Sequence, residues 1–140
     1  MADQNLINRL RQFDVAPQKL FLEGSWTQGS GQTLEVASPI DGSVLTTLAG
    51  ASAVDVDNAV ASARRAFDDG RWAGQSPAAR KTVLFRIAER IEAEALELAV
   101  LGVRDNGTEI NMALKAEPGS AAETFRYYAE ALDKVGGEVA

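Results

Sequence analysis

The apolar residues of this chain change period at Gly50, and that change limits the folds open to it. Before Gly50 the runs are short and alternate. Lys19-Leu-Phe-Leu-Glu23 predicts a strand closed by Gly24, Thr33 to Ala37 a second with Leu34 and Val36 on one face, and Val44 to Leu48 a third. Pro39-Ile40-Asp41-Gly42 has turn chemistry, so the last two strands are expected to pair as a hairpin. Trp26 and then Gly29-Ser30-Gly31 lie between the first two strands, the glycines read as a flexible turn. Ahead of them Leu6, Ile7, Leu10 and Phe13 are spaced as on a short helix that stops before Pro17.

After Gly50 the spacing is 3.6. Ser52 is an N-cap with Asp55 three residues on, an acidic form of the capping box. Val56, Ala59, Val60, Ala63 and Phe67 then make one apolar stripe, ended by Gly70. Ser76-Pro77 opens a second helix, serine capping and proline in the first helical position, with Val83, Leu84, Ile87 and Ile91 as its inner face. Glu94 to Val103 continues as helix to an Asp105-Asn106-Gly107 loop or C-cap. Thr108 to Lys115 predicts a short helix interrupted by Pro118-Gly119. Ser120 is expected to cap a last one with Ala121, Phe125, Tyr128, Leu132 and Val135 along one side and Gly136-Gly137 at its end. Three small strands cannot cover that many amphipathic helices. Burial is worth about 25 cal/mol per Å² and ordering a residue costs about 1 to 2 kcal/mol. The expectation is a helical chain that packs loosely, or self-associates through its stripes.

Composition removes whole reaction classes. There is no cysteine and no histidine, which excludes a thiolate nucleophile, a Ser-His-Asp relay, a zinc cluster and a disulfide framework. Twenty acidic against 14 basic residues give a net charge of −6, wrong for nucleic acid or an anionic membrane. No apolar run reaches the roughly 18 residues of a membrane span, and the first residues have no signal-peptide pattern. A cytoplasmic location is expected. Glu89, Glu92, Glu94 and Glu97, interleaved with arginine, read as a solvated, ion-paired face rather than a metal site. Trp26 and Trp72 read as packing anchors, and Tyr127-Tyr128 as one inward and one outward phenol. Gly29-Ser30-Gly31 lacks the strand-to-helix context of a phosphate loop. Asp105, beside the free carbonyls of a turn, offers hard oxygens suited to a group I or II cation.

In order along the chain, Phe21-Leu-Glu-Gly-Ser-Trp, Thr33-Leu-Glu-Val-Ala-Ser-Pro-Ile-Asp-Gly, Asp55-Val-Asp-Asn-Ala-Val-Ala-Ser-Ala-Arg-Arg-Ala-Phe, Ser76-Pro-Ala-Ala-Arg-Lys, Arg104-Asp-Asn-Gly and Arg126-Tyr-Tyr-Ala-Glu-Ala-Leu-Asp-Lys form a series. The series resembles the amino-terminal region of the aldehyde dehydrogenase superfamily. The stretch from Tyr128 onward is similar to enzymes that oxidise aminoaldehydes, such as γ-glutamyl-γ-aminobutyraldehyde and guanidinobutyraldehyde dehydrogenases. Ser38 departs from the asparagine common before that proline.

The resemblance implies an α/β family fold. This chain, mostly helical with a small N-terminal β-meander, would be the outer part of a Rossmann-like NAD(P)-binding domain without its central parallel sheet. Residues 1–140 would be one amino-terminal portion: 1–18 helix and lead-in, 19–50 strands, 51–140 helices. In the family a cysteine attacks the aldehyde to give a thiohemiacetal, hydride leaves to NAD or NADP, and a glutamate-assisted water releases the acid. None of that equipment matches residues here, so no catalytic or cofactor-binding residue is assigned and no cofactor is expected to bind this chain alone. One site carries over. Main-chain oxygens before the proline and the aspartate of the Asp-Asn-Gly turn hold Na+ or K+ in many members, positions that match Val36, Ala37 and Asp105, with a further ligand outside the matched region. Family members are dimers or tetramers, so expected partners are another copy or a missing carboxy-terminal portion. A shortened, inactive dehydrogenase is the first reading. A non-catalytic helical interaction module, or half of a split enzyme, is the second.

Overall fold

A computed structural model describes residues 3–134 and 136. They fall into two units. One comprises Gln12–Ala73 and Arg104–Gly107 and holds the strands; the other comprises the described parts of Met1–Arg11, Gly74–Val103 and Thr108–Ala140 and is helical.

In the strand unit, β1 (Leu20–Leu22) and β2 (Ser25–Thr27) pair antiparallel through a two-residue turn, Glu23-Gly24, both at positive φ as a type I′ hairpin requires. β2 was not visible as a strand in the sequence, because Trp26 has no alternating apolar neighbour. A second hairpin pairs β3 (Leu34–Ala37) with β4 (Val44–Leu48). The two pairs are separate sheets, so the expected single meander of three strands is corrected to two hairpins. Gln18 bridges to β4 in parallel, its N–H on the Thr47 carbonyl at 2.8 Å.

α2 (Ala53–Asp68) starts where the capping pattern placed it. The Asp55 N–H donates to Ser52 Oγ at 3.3 Å and the Ser52 N–H to Asp55 Oδ2 at 2.8 Å. The same carboxylate oxygen accepts the Ser30 N–H at 2.9 Å and the Ser30 hydroxyl at 2.7 Å. Ser30 is therefore no flexible turn residue but a clamp from the glycine loop to α2. Close approach explains its flanking glycines. A Cβ on Gly29 would stand 2.1 Å from the Gly50 carbonyl oxygen, and one on Gly31 would stand 2.6 Å from that of Ala51.

Those donors, the Ser52 N–H first, hold the Asp55 carboxyl well below its ordinary value of 3.8. A depressed folded pKa contributes stability above the unfolded value, lost as pH falls through it. Ser52→Ala is expected to cost about 1 kcal/mol at neutral pH, read by hydrogen exchange in the first turn of α2. Asp55→Asn should make the acid limb, below about pH 4, shallower; unchanged exchange and an unchanged limb would contradict the assignment.

The helical unit holds α1 (Gln4–Arg11), α3 (Pro77–Ala93), most of α4 (Ala95–Asn106), α5 (Ile110–Ala116) and α6 (Pro118–Ala131). Ser76 Oγ accepts the Ala79 N–H at 3.2 Å with Pro77 in the first turn of α3, as expected. α6 begins earlier than predicted. Pro118 and Gly119 lie inside its first turn, and Ser120 does not cap it. Proline's fixed φ suits that position, so what looked like an interruption is a start signal.

The core is made of small residues. Ala88, Ala99, Ala113, Ala122 and Ala129 are buried with Val100, the one large side chain fully buried among the described residues. Alanine on facing surfaces lets helices approach closely, and α6 packs against both α3 and α5. The expected inner faces need correction accordingly. Leu84, Ile87 and Ile91 are half-buried around Ala88, and Val83 is exposed. On α6 the inner face runs through Ala122, Phe125, Ala129 and Leu132, while Tyr128 is outside it. Val135 and Gly137 lie outside the described residues.

Candidate functional site

The strand unit carries the one site the sequence suggested. β3 leads to Pro39 through Val36, Ala37 and Ser38, and the β3–β4 ladder is irregular there: Val36 faces Thr46, yet Ala37 faces Val44. A bulge interrupts regular pairing and turns the strand. Ser38 is buried and fixed, its N–H donating to the Ser43 carbonyl at 2.8 Å, its carbonyl accepting the Gly42 N–H at 2.9 Å and its hydroxyl the Ile40 N–H at 3.2 Å. Asp41 accepts the Ser43 hydroxyl at 2.7 Å, and this bond, with the Ser43 N–H, lowers its pKa.

Asp105 lies in the last turn of α4 and is exposed. Gly107 follows at φ +77°, a conformation L side chains rarely adopt and the usual end of a helix. Its ideal Cβ position is 3.3 Å from Pro39 Cγ. Gly107 and Pro39 are thus neighbours in one unit. Val36 is half-buried and Ala37 exposed. Among the described residues no three Asp, Glu, His or Cys side chains cluster as metal ligands. The carbonyls of Val36 and Ala37 and the carboxylate of Asp105 are hard oxygens, a donor type that suits a monovalent cation better than a transition metal.

An open groove of about 450 Å³ lies in the strand unit, lined by Glu23, Ser25, Thr27, Gln28, Asp55 and Arg65 among others. Its charged groups already have partners. Glu23 is paired with Arg65, whose guanidinium is the main cause of its lowered pKa, and Asp55 is held by Ser30 and Ser52.

The remaining sequence candidates are surface features. The glutamate face is solvated and ion-paired as expected, through Arg90–Glu94 at 2.6 Å and Arg126–Glu92. Trp26 is 63% exposed, its ring tilted against Phe21 with centroids 5.0 Å apart, and Trp72 is also exposed, so neither is a buried anchor. Tyr127 and Tyr128 are both exposed, ring edge to face at 5.3 Å, which corrects the inward and outward pair. A helix whose neighbours are alanines leaves no slot for a phenol. No helix of the described residues is long and apolar enough to cross a membrane.

Among the described residues no metal-ligand cluster points to a class of chemistry, and the class follows from comparison with known proteins. The sequence profile of the aldehyde dehydrogenase family matches residues 26–140. The chain belongs to the aldehyde dehydrogenase family.

The chain is 42% identical over 123 residues to the NADP/NAD-dependent aldehyde dehydrogenase PuuC of Escherichia coli (strain K12), covering 87% of this chain and 25% of that protein. It superposes on the γ-glutamyl-γ-aminobutyraldehyde dehydrogenase of Burkholderia cenocepacia J2315 with a TM-score of 0.89 at 39% identity, over 97% of this chain and 28% of the other. On the P. syringae AldA indole-3-acetaldehyde dehydrogenase, solved with NAD+, the TM-score is 0.91 at 34% identity, over 100% and 28%. The chain spans about a quarter of the length of the curated relatives it matches.

Proposed function

We propose that this chain supplies the amino-terminal shell of an NAD(P)-dependent aldehyde dehydrogenase that oxidises an aldehyde, of the aminoaldehyde class, to its acid. The observation that carries the reading is the match itself: nearly the whole chain aligns with one contiguous quarter of PuuC. The chain has no cysteine, so it cannot supply the nucleophile of the covalent step. NAD(P) would accept the hydride, and no residue of this chain is assigned to hold it. What the chain contributes is packing, and a brace between β3 and the end of α4.

The experiment is a chimera in which the 140 residues replace the matched amino-terminal segment of PuuC. The chimera is expected to reduce NAD or NADP in the presence of an aminoaldehyde, and the isolated chain is expected not to. Turnover by the isolated chain that survives repurification to constant specific activity, or a folded chimera without turnover, would overturn the reading.

Val36, Ala37 and Asp105 are assigned within it to a structural Na+ or K+, the two former through main-chain carbonyls. The contact of Gly107 with Pro39 and the bulge after Val36 support this. The melting temperature of the chimera should then be higher in Na+ or K+ than in choline at equal ionic strength. Asp105→Ala should abolish that difference, since the carboxylate is the charged ligand; a difference that persists would remove Asp105 from the site.

A further inference from the structure

Asn106-Gly107 is the one Asn-Gly pair among the five asparagines of the chain. Asn106 is the last residue of α4, and both it and Gly107 are exposed. Glycine has no Cβ, so nothing on Gly107 shields its main-chain nitrogen from the Asn106 side chain. Helical backbone holds that nitrogen out of line with the side-chain amide carbon, so attack waits for the last turn to open. Helix ends open most readily. Two Asp-Gly pairs have similar glycines, Gly42 at φ +74° and Gly70 at φ +68°. Their carboxylates are tied, Asp41 to Ser43 and Asp69 to Arg71, and these bonds hold both below the ordinary carboxylate range. An ionised carboxylate has no leaving group, whereas the Asn106 amide can release ammonia.

We propose that Asn106 is a site of spontaneous deamidation, and that its isoaspartyl product parts Gly107 from Pro39. The Gly107 nitrogen forms a bond to Asn106 Cγ and gives up its proton. The bond from Cγ to the side-chain nitrogen breaks, and that nitrogen leaves as ammonia with the proton. Water then opens the cyclic imide, its hydroxyl going to a carbonyl carbon and its proton to the ring nitrogen. Cleavage at Cγ gives aspartate. Cleavage at the main-chain carbonyl carbon gives isoaspartate, whose backbone runs on through Cγ. Nothing is oxidised or reduced, and water is the only co-reactant. Both products place a carboxylate at position 106 beside Asp105, at a helix end already negative from its unpaired carbonyls. The isoaspartate also adds an atom to the backbone directly before Gly107, whose ideal Cβ position lies 3.3 Å from Pro39 Cγ. A shift of one bond length there separates the end of α4 from Pro39.

The test ages the full chain in mildly alkaline buffer and, as an unfolded reference, in urea, with tryptic peptides read by mass spectrometry. Cleavage after Arg104 and Lys115 leaves Asn106 and Asn111 in one peptide, so Asn111 is an internal control. Asn111 precedes Met112, and its side-chain amide donates to Glu109 at 2.8 Å. In buffer Asn106 should convert more than about tenfold faster than Asn111, giving both aspartate and isoaspartate. No conversion of Asn106 in buffer would overturn the proposal, whatever happens in urea, and so would equal rates at the two asparagines. Hydrogen exchange of residues 38–43 and 104–108 should be faster in the aged chain than in the fresh one. Asn106→Asp, which adds the charge without lengthening the backbone, should leave residues 38–43 as in the fresh chain. Asn106→Gln, whose longer side chain closes a ring far more slowly, should not change on ageing. Unchanged exchange in an aged chain rich in isoaspartate would overturn the parting of Gly107 from Pro39. An equal change in aged Asn106→Gln would overturn it too, since the cause would lie elsewhere in the chain.

Discussion

Gly50→Ala is expected to unfold the strand unit. A Cβ there would stand 1.9 Å from the carbonyl oxygen of Gln32 and 2.9 Å from its carbon, distances no side-chain rotation relieves, because the obstacle is backbone. The loop would have to withdraw, breaking the Gly31 N–H to Gly50 carbonyl bond of 2.9 Å and pulling Ser30 from Asp55. Overpacking typically costs about 1 to 3 kcal/mol, and a clash with backbone lies at the upper end or beyond. The unit has little to offset it, since Ala49 and Ser38 are its only buried residues among those described. Gly24→Ala is the contrast. Its Cβ meets nothing within 4 Å, and only its φ of +77° resists, a cost of about 1 to 2 kcal/mol. Far-ultraviolet circular dichroism and hydrogen exchange of residues 20–50 should show loss of structure for Gly50→Ala and retention for Gly24→Ala. Retained protection in both would show that the loops cross less closely than described.

How much of this was legible in the residues depended on whether a signal was local. Ser52 with Asp55, Ser76 with Pro77 and the hairpin turn after Pro39 are short-range chemistry, and each stands where the sequence placed it. Long-range facts were not visible. Nothing near Ser30 says that its partner lies 25 residues on, and nothing marks Gly29, Gly31 and Gly50 as a crossing rather than as turns. The direction of the α2 stripe was also hidden. Periodicity shows that Val56, Val60 and Phe67 share a face, but whether that face turns inward depends on what else the chain contains. The alanine core misled for a related reason: large residues were expected inside, and Ala88, Ala122 and Ala129 took the places of closest helix approach. For the proposed cation site, Asp105 was named from its turn and, with Val36 and Ala37, from family resemblance; the structure adds that Gly107 lies close to Pro39.

The second large effect has opposite signs in two settings. Val60→Asp with Phe67→Asp puts two carboxylates where both side chains are already more than half exposed. In the isolated chain nothing is desolvated, and the change in stability should be within about 0.5 kcal/mol, as for ordinary surface substitutions. Uptake of a hydrophobic dye should fall and solubility should rise, because the patch is interrupted. If the chain is the amino-terminal shell proposed, the same residues are covered by apolar surface in the PuuC chimera. Full burial of one such side chain contributes about 1.5 to 3 kcal/mol, and a carboxylate in its place adds a desolvation cost of several kcal/mol more.

Thermal melts of the double substitution in both settings therefore test the account most directly. The isolated chain should melt within about 2 °C of its parent, while the chimera should fail to fold or should melt at least about 10 °C lower. Equal losses in both settings would place the stripe in the chain's own core. An undisturbed chimera would show that α2 faces water in the assembled enzyme, and the chain would not be the shell described.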